Sequence, residues 1–239
     1  MLRKKHHPMR PSDRSRQIPL PVSLAVEARF QTYYAGANAS AIAALQDLPS
    51  PGIWLASQVG CGRSHLLQAV AASHPAGNAM YLPLTRELPA ASITGFAVDA
   101  VVCLDDVHVV AGDAAWEQAL FALYETLFSG GGRLLVSADD RPAQTGFVLP
   151  DLVSRFASLA FYQLQPLSDD ALIDALQLRA RFRGLELPDA AAAFLIKRLP
   201  REPAALFEWL RKLDLESLSA QRRLTLPFVR DTLAKLLEQ

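Results

Sequence analysis

From Ile53 to Gln165 the chain repeats one pattern: a short apolar run, a few turn residues, then a stretch with helical spacing. Strands that are apolar along their whole length are buried on both faces, which is the condition of a parallel sheet covered by helices. The runs Ile53–Ala56, Ala79–Leu82, Val101–Leu104, Arg133–Ser137 and Leu159–Leu164 predict its strands. Between the third and fourth, Trp116, Leu120, Leu123, Tyr124 and Leu127 recur at helical spacing, with Asp113 placed as a cap and Gly130-Gly131-Gly132 as a stop. That aromatic stripe reads as core rather than as a cofactor box.

After Pro166 the strand pattern ends. Ser168-Asp169-Asp170 caps a helix with Leu172, Ile173, Leu176 and Ala180 on one face, and Pro188 suits the first turn of the next, which runs to about Leu199. A third helix is expected over about Pro203–Leu213 and a fourth from near Thr225 to the terminus. The expected fold class is therefore α/β: a parallel five-stranded sheet with flanking helices over residues 23–166, then a small all-helical domain over 167–239. With 51% apolar residues in 239, the chain has enough to fill both cores.

Lys+Arg and Asp+Glu balance at 24 each, so no global basic field draws the chain to nucleic acid or anionic membrane, and any DNA contact must be local. Cys61 and Cys103 form no CxxC pair and lack a histidine at zinc-ligand spacing. No apolar run approaches the roughly 18 residues of a membrane span, and no secretory leader is visible, so the cytoplasm is expected. Residues 1–16 are basic, carry almost nothing to bury, and are expected to be a disordered tail. Its His6-His7 pair reads as solvated, and Met9 offers an alternative start.

The most informative stretch begins at Ile53 and reads IWLASQVGCGRSHLL: an apolar strand, a small-residue turn, then an amphipathic helix. A phosphate needs converging backbone N–H groups, glycines that let the chain approach, and the positive end of a helix. Gly60, Cys61, Gly62, Arg63, Ser64 and His65 offer that arrangement. Against the pattern G-x-x-x-x-G-K-[ST], Ser57 replaces the first glycine and Arg63 the lysine, while Ser64 is in register for Mg²⁺. Arginine keeps the charge but offers a planar fork instead of a point charge. The bland alternative is an ordinary glycine-containing turn between strand and helix. A second apolar strand, Val101–Leu104, runs into Asp105 and Asp106; Asp105 is the candidate metal ligand, and Asp106 stands where a glutamate would polarise water. Here the alternative is two acids that merely begin a loop.

With both motifs in hand, the chain resembles the AAA+ family and, within it, DnaA and its shorter relative Hda. The likeness runs from about Gln17 to Leu237 through FQTYYAGAN at Phe30, GRSHLL at Gly62, AGD at Ala111, LPDLVSRF at Leu149, LQPLSD at Leu164 and LQLRARFRGLELP at Leu176. The resemblance implies that the helical domain is a lid and that ADP or ATP is bound, with Mg²⁺ as a companion. It implies that Arg155 is an arginine finger acting on the nucleotide of a neighbouring subunit, that Asp139 lies in the sensor 1 region with Ser137 as a weaker candidate, and that Arg201, opening the third lid helix, is sensor 2. The bland alternatives are surface charges and caps.

Gln17-Ile18-Pro19-Leu20-Pro21-Val22 resembles the clamp-binding peptide of Hda proteins, Gln17 bonding at a rim and Ile18, Leu20 and Val22 filling apolar pockets. By itself it could equally be a packing strand or linker. The chain ends with its last helix, so no helix-turn-helix DNA reader is expected. The implied function is a regulator that binds the DNA-loaded sliding clamp and stimulates hydrolysis of DnaA-bound ATP, with at most weak ATPase activity of its own. DnaA and the clamp are the expected partners, DNA is met through the clamp, and a homodimer is allowed. The alternatives are a self-sufficient AAA+ ATPase such as a helicase loader, and a nucleotide-free scaffold.

Overall fold

The computed structural model describes residues 24–25, 27–75 and 78–237; the basic segment 1–16 and the peptide Gln17–Val22 lie outside them. At its centre are five strands, β1 (Gly52–Ala56), β2 (Ala79–Pro83), β3 (Val101–Asp105), β4 (Arg133–Ala138) and β5 (Ala160–Gln163). They pair in the order β2-β3-β4-β1-β5, and every pairing is parallel. The expected strands are all present. The fifth is shorter than its apolar run because Leu159 and Leu164 sit in the core beyond its two ends.

β1 and β3 are buried along their whole length, with successive residues feeding opposite layers. On one face, α1 (Ala39–Asp47) and α2 (Arg63–Ser73) bring Leu45, Leu66 and Val70 against Ile53, Leu55 and Cys103. On the other, α3 (Ala114–Gly130) and α4 (Pro150–Ala157) bring Trp116, Leu120 and Phe156 against Trp54, Leu104 and Val136. Each large side chain so buried contributes about 1.5–3 kcal/mol. The Asp113 carboxylate accepts from the N–H groups of Ala115 (2.9 Å) and Trp116 (3.1 Å), and α3 ends at Gly131 in the left-handed conformation.

Four further helices follow: α5 (Asp169–Phe182), α6 (Asp189–Arg198), α7 (Pro203–Ala220) and α8 (Leu226–Leu237). They share a separate core around Leu176, Leu195, Leu206, Leu210 and Val229. Ser168 caps α5, its hydroxyl accepting from the Ala171 N–H. Two details differ from expectation. Pro188 is the N-cap of α6 rather than part of its first turn. α7 continues past Leu213 to Ala220, because no glycine or proline stops it until Gln221 turns left-handed. Among the described residues, no helix is long and apolar enough to cross a membrane.

Because the sheet is parallel, the carboxyl ends of β1, β3 and β4 open on one edge. Ser57, Asp105-Asp106 and Asp139 follow or end those strands there, the edge at which sheets of this kind bind ligands.

Candidate functional site

The loop between β1 and α2 is shaped by two left-handed glycines, Gly60 (φ 92°) and Gly62 (φ 89°). Gly62 is required for space as well, since a Cβ there would lie 2.7 Å from the Tyr33 ring. Tyr33 braces the loop by donating its hydroxyl to the Cys61 carbonyl at 2.9 Å. Burial pushes its phenol up to about 12, opposed by the hydrogen bond from Asn38, so it stays a donor. The buried Asn38 amide in turn bonds both the N–H (2.7 Å) and the carbonyl (3.0 Å) of Gln165, where the chain leaves the sheet. α2 then begins at Arg63 with no side chain capping it, so its first-turn N–H groups and positive end are offered to an anion. The loop from Gly60 to His65 thus fits a phosphate group.

Arg63 is buried and spans the sheet edge rather than pointing outward. Its guanidinium donates to the carbonyls of Ser57 and Ala138 and, at 2.8 Å, to the Asp106 carboxylate. One side chain therefore ties together the ends of β1, β3 and β4. Asp106, left-handed at φ 56°, is held through this ion pair and through its backbone N–H, which donates to the Ser137 hydroxyl at 2.8 Å. Nη1 serves the two carbonyls and Nη2 the carboxylate, a division between two nitrogens that the single ammonium of a lysine lacks.

Asp105 is buried, receiving the Tyr81 hydroxyl at 2.7 Å on one oxygen and the Ser137 hydroxyl on the other. Burial pushes the Tyr81 phenol well above its ordinary value, and the Asp105 carboxylate adds to the effect. Of the two residues expected to meet Mg²⁺, Ser64 is exposed in the first turn of α2, whereas both oxygens of Asp105 are taken by these O–H donors. Ser137 is fully buried at the centre of this group, whereas Asp139 is exposed beyond β4.

The helical domain closes on the same loop. His65 is the joint: Arg179 of α5 donates to its Nδ1 at 2.9 Å, so Nε2 carries the proton and donates to the Arg29 carbonyl at 2.9 Å. Burial holds its imidazole down at about 4, with the Arg179 charge adding to that and the Arg29 carbonyl opposing it. Glu27 pairs with both Arg179 and Arg183, and Tyr34 donates to Asp174 of α5 at 2.8 Å. Between α2, α5 and α7 lies a cavity of about 280 Å³ lined by Glu27, His65, Gln68, Arg179 and Phe207 among others. Pro203, in the first turn of α7, stands 3.9 Å from where a Cβ on Gly60 would be.

The fold has solved counterparts. Domain III of the Thermotoga maritima replication initiation protein DnaA superimposes with a TM-score of 0.71 at 18% identity, over 87% of this chain and 96% of that one. AMPPCP-bound DnaA from Aquifex aeolicus matches at 0.65 and 17%, over 90% and 71%. Thermotoga maritima RuvB, a Holliday junction branch migration motor, matches at 0.59 and 19%, over 77% and 61%. Residues 169–233 match the family model described as the lid domain of Hda. The last four helices thus match the Hda lid, and the chain as a whole shares the fold of DnaA domain III.

In this fold Arg155 lies in the last turn of α4, in the layer opposite α2. Its Nε is 2.7 Å from the Glu125 carboxylate and its guanidinium lies 5.9 Å from the Tyr124 ring centre, leaving the side chain about half exposed at 48%. The structure thus keeps Arg155 apart from the Arg63–Asp106 group. Arg201 does not open α7: it precedes the cap Glu202, is exposed, and pairs with Asp169 at the start of α5 at 3.1 Å. The reason is local, since Pro203 takes the first helical position and pushes Arg201 into the preceding bend. Tyr33, Asn38, Tyr81, Glu27 and Arg179 support the site without belonging to either strand-end motif. The signs available were the run FQTYYAGAN, which contains Tyr33 and Asn38, and LQLRAR, which contains Arg179.

Proposed function

We propose that this chain is a regulator of replication initiation. It binds adenine nucleotide, ADP being the expected occupant, docks on the DNA-loaded sliding clamp in the cytoplasm, and stimulates hydrolysis of ATP held by DnaA. The Hda-type lid over residues 169–233 carries this reading. The AMPPCP bound to the DnaA neighbours supports nucleotide binding.

Gly60, Cys61, Gly62, Ser64 and His65 surround the phosphate position, and the bound nucleotide would supply the anion that their N–H groups and the α2 dipole favour. Arg63 is committed to Asp106 and two carbonyls. Asp106 therefore faces a cation rather than an attacking water, which favours a holder of nucleotide over an engine. Arg155, by contrast, is half exposed on a packed helix. A fixed positive charge there suits stabilisation of a neighbouring subunit's γ-phosphate oxygens as charge develops. Gln17, Ile18, Leu20 and Val22 are assigned the docking role, and the prolines between them, by restricting the backbone, would lower the ordering cost of binding.

The test is reconstituted hydrolysis of DnaA-bound ATP with DNA-loaded clamp, comparing the parent with Gln17→Ala and Arg155→Ala. Both variants are expected to fail, Gln17→Ala by losing clamp capture and Arg155→Ala while still capturing it. Parental stimulation by both variants, or steady ATP hydrolysis by the chain alone, would defeat the proposal.

A further inference from the structure

We propose that Glu117 is a positioning residue for Arg155, fixing the start of the helix that presents it; this rests on Arg155 acting as a finger toward a partner's nucleotide. Glu117 lies in the first turn of α3, with only 2% of its surface exposed. Among the described residues it forms no ion pair. Its carboxylate is held by backbone alone: Oε1 accepts the Gly112 N–H at 2.8 Å, Oε2 the Leu149 N–H at 2.6 Å, and the two share the Val148 N–H at 3.0 Å.

A buried carboxylate without a cation is costly unless several N–H groups satisfy it, so this placement is specific. Two of its three donors are the residues that open α4. Leu149 is the N-cap of α4 and its side chain caps nothing, while Pro150 at the first position has no N–H to offer. The carboxylate supplied from α3 therefore anchors a helix start that its own sequence leaves unanchored, and its negative charge suits that end of the helix. Leu152 and Phe156, both fully buried, seat α4 on the sheet. With those seats, the Glu117 anchor sets the position of Arg155 along the helix and around it. The third donor, Gly112, belongs to the segment between β3 and α3, so the same carboxylate ties the start of α4 to the approach to α3.

Glu117→Gln tests this, since it keeps the shape but turns an amide N–H toward backbone N–H groups. DnaA-bound ATP hydrolysis with loaded clamp is followed while the variant is titrated. A merely structural role would lower the active fraction, shifting half-saturation and leaving the plateau rate intact. Positioning predicts the reverse: a plateau lower by about tenfold at unchanged half-saturation. The double variant with Arg155→Ala should be no slower than Arg155→Ala alone. Hydrogen exchange should show the Val148 and Leu149 amides losing protection while α2 keeps its own. If Glu117→Gln fails to fold, Glu117→Asp, which withdraws the carboxylate by one methylene, is measured the same way. A parental plateau for the Glu117 variants beside an inactive Arg155→Ala would overturn the Glu117 proposal alone. A parental plateau for Arg155→Ala would overturn the finger reading and this proposal together.

Discussion

Arg63 shows how one residue changes the character of a phosphate loop. Its guanidinium satisfies two strand-end carbonyls and one carboxylate, so Arg63→Ala leaves all three without that donor. Because Asp106 is partly exposed, the cost should fall at the low end for a broken ion-pair network, about 2 kcal/mol, read as a lowered urea midpoint with unchanged slope. An unchanged midpoint would mean that solvent replaces the guanidinium freely. The pair also restrains chemistry. Arg63→Lys combined with Asp106→Glu should release the acid and raise basal phosphate release about tenfold above the parent. Turnover equal to the parent's would show that the ion pair is not the restraint. The sequence displayed Arg63, Asp105 and Asp106 as an irregular motif, because glycine spacing and strand-end acids are one-dimensional features. It did not display the direction of the arginine. That depends on where β4 ends, and Ala138 is far from Arg63 in the chain.

At the scale of elements, strands and caps were legible because each is decided by neighbours in sequence. Asp113 is the plainest case: it stands directly before the helical stripe that Trp116 begins, and its carboxylate bonds two first-turn N–H groups. Asp113→Ala should cost about 1 kcal/mol, measured by urea denaturation; a loss below about 0.3 kcal/mol would mean that solvent caps α3 equally well. The end of α7 was less legible, since nothing between Leu213 and Ala220 breaks a helix and the stop is a left-handed Gln221. Arg201 lies just ahead of α7 for a related reason, the helix start being set by Pro203 rather than by the charge before it. The anchor of α4 was invisible altogether. Glu117 looks like any glutamate near a helix start, and only the tertiary fold brings Val148 and Leu149 to it.

At the scale of the whole molecule, the lid and the sheet domain meet at His65, and their junction titrates. Arg179 can only donate, so the Nδ1 of His65 must accept and the imidazole must be neutral. Tyr33 packs beside the ring, and the remaining nitrogen is used by the Arg29 carbonyl. Burial, aided by the Arg179 charge, holds the folded imidazole at about 4, below its ordinary 6.5. Between those values the unfolded chain binds a proton that the folded chain refuses. The stabilising contribution is therefore complete above about pH 6.5, declines as pH falls toward 4, and is gone below it. Allowing for the partial exposure of the site, the loss is about 2 kcal/mol. Carboxylates titrate in the lower part of the same range, so the informative quantity is a difference. Denaturation midpoints of the parent and of His65→Gln, compared from pH 7 to pH 4, should show the parent losing this extra stability and the variant not. Protonation would set His65 against Arg179 and release α5 from the phosphate loop, so amide exchange in α5 should rise in the parent before exchange in β1 and β3. Parallel pH profiles for parent and variant, or simultaneous exchange of α5 and the sheet, would mean that His65 does not govern the junction.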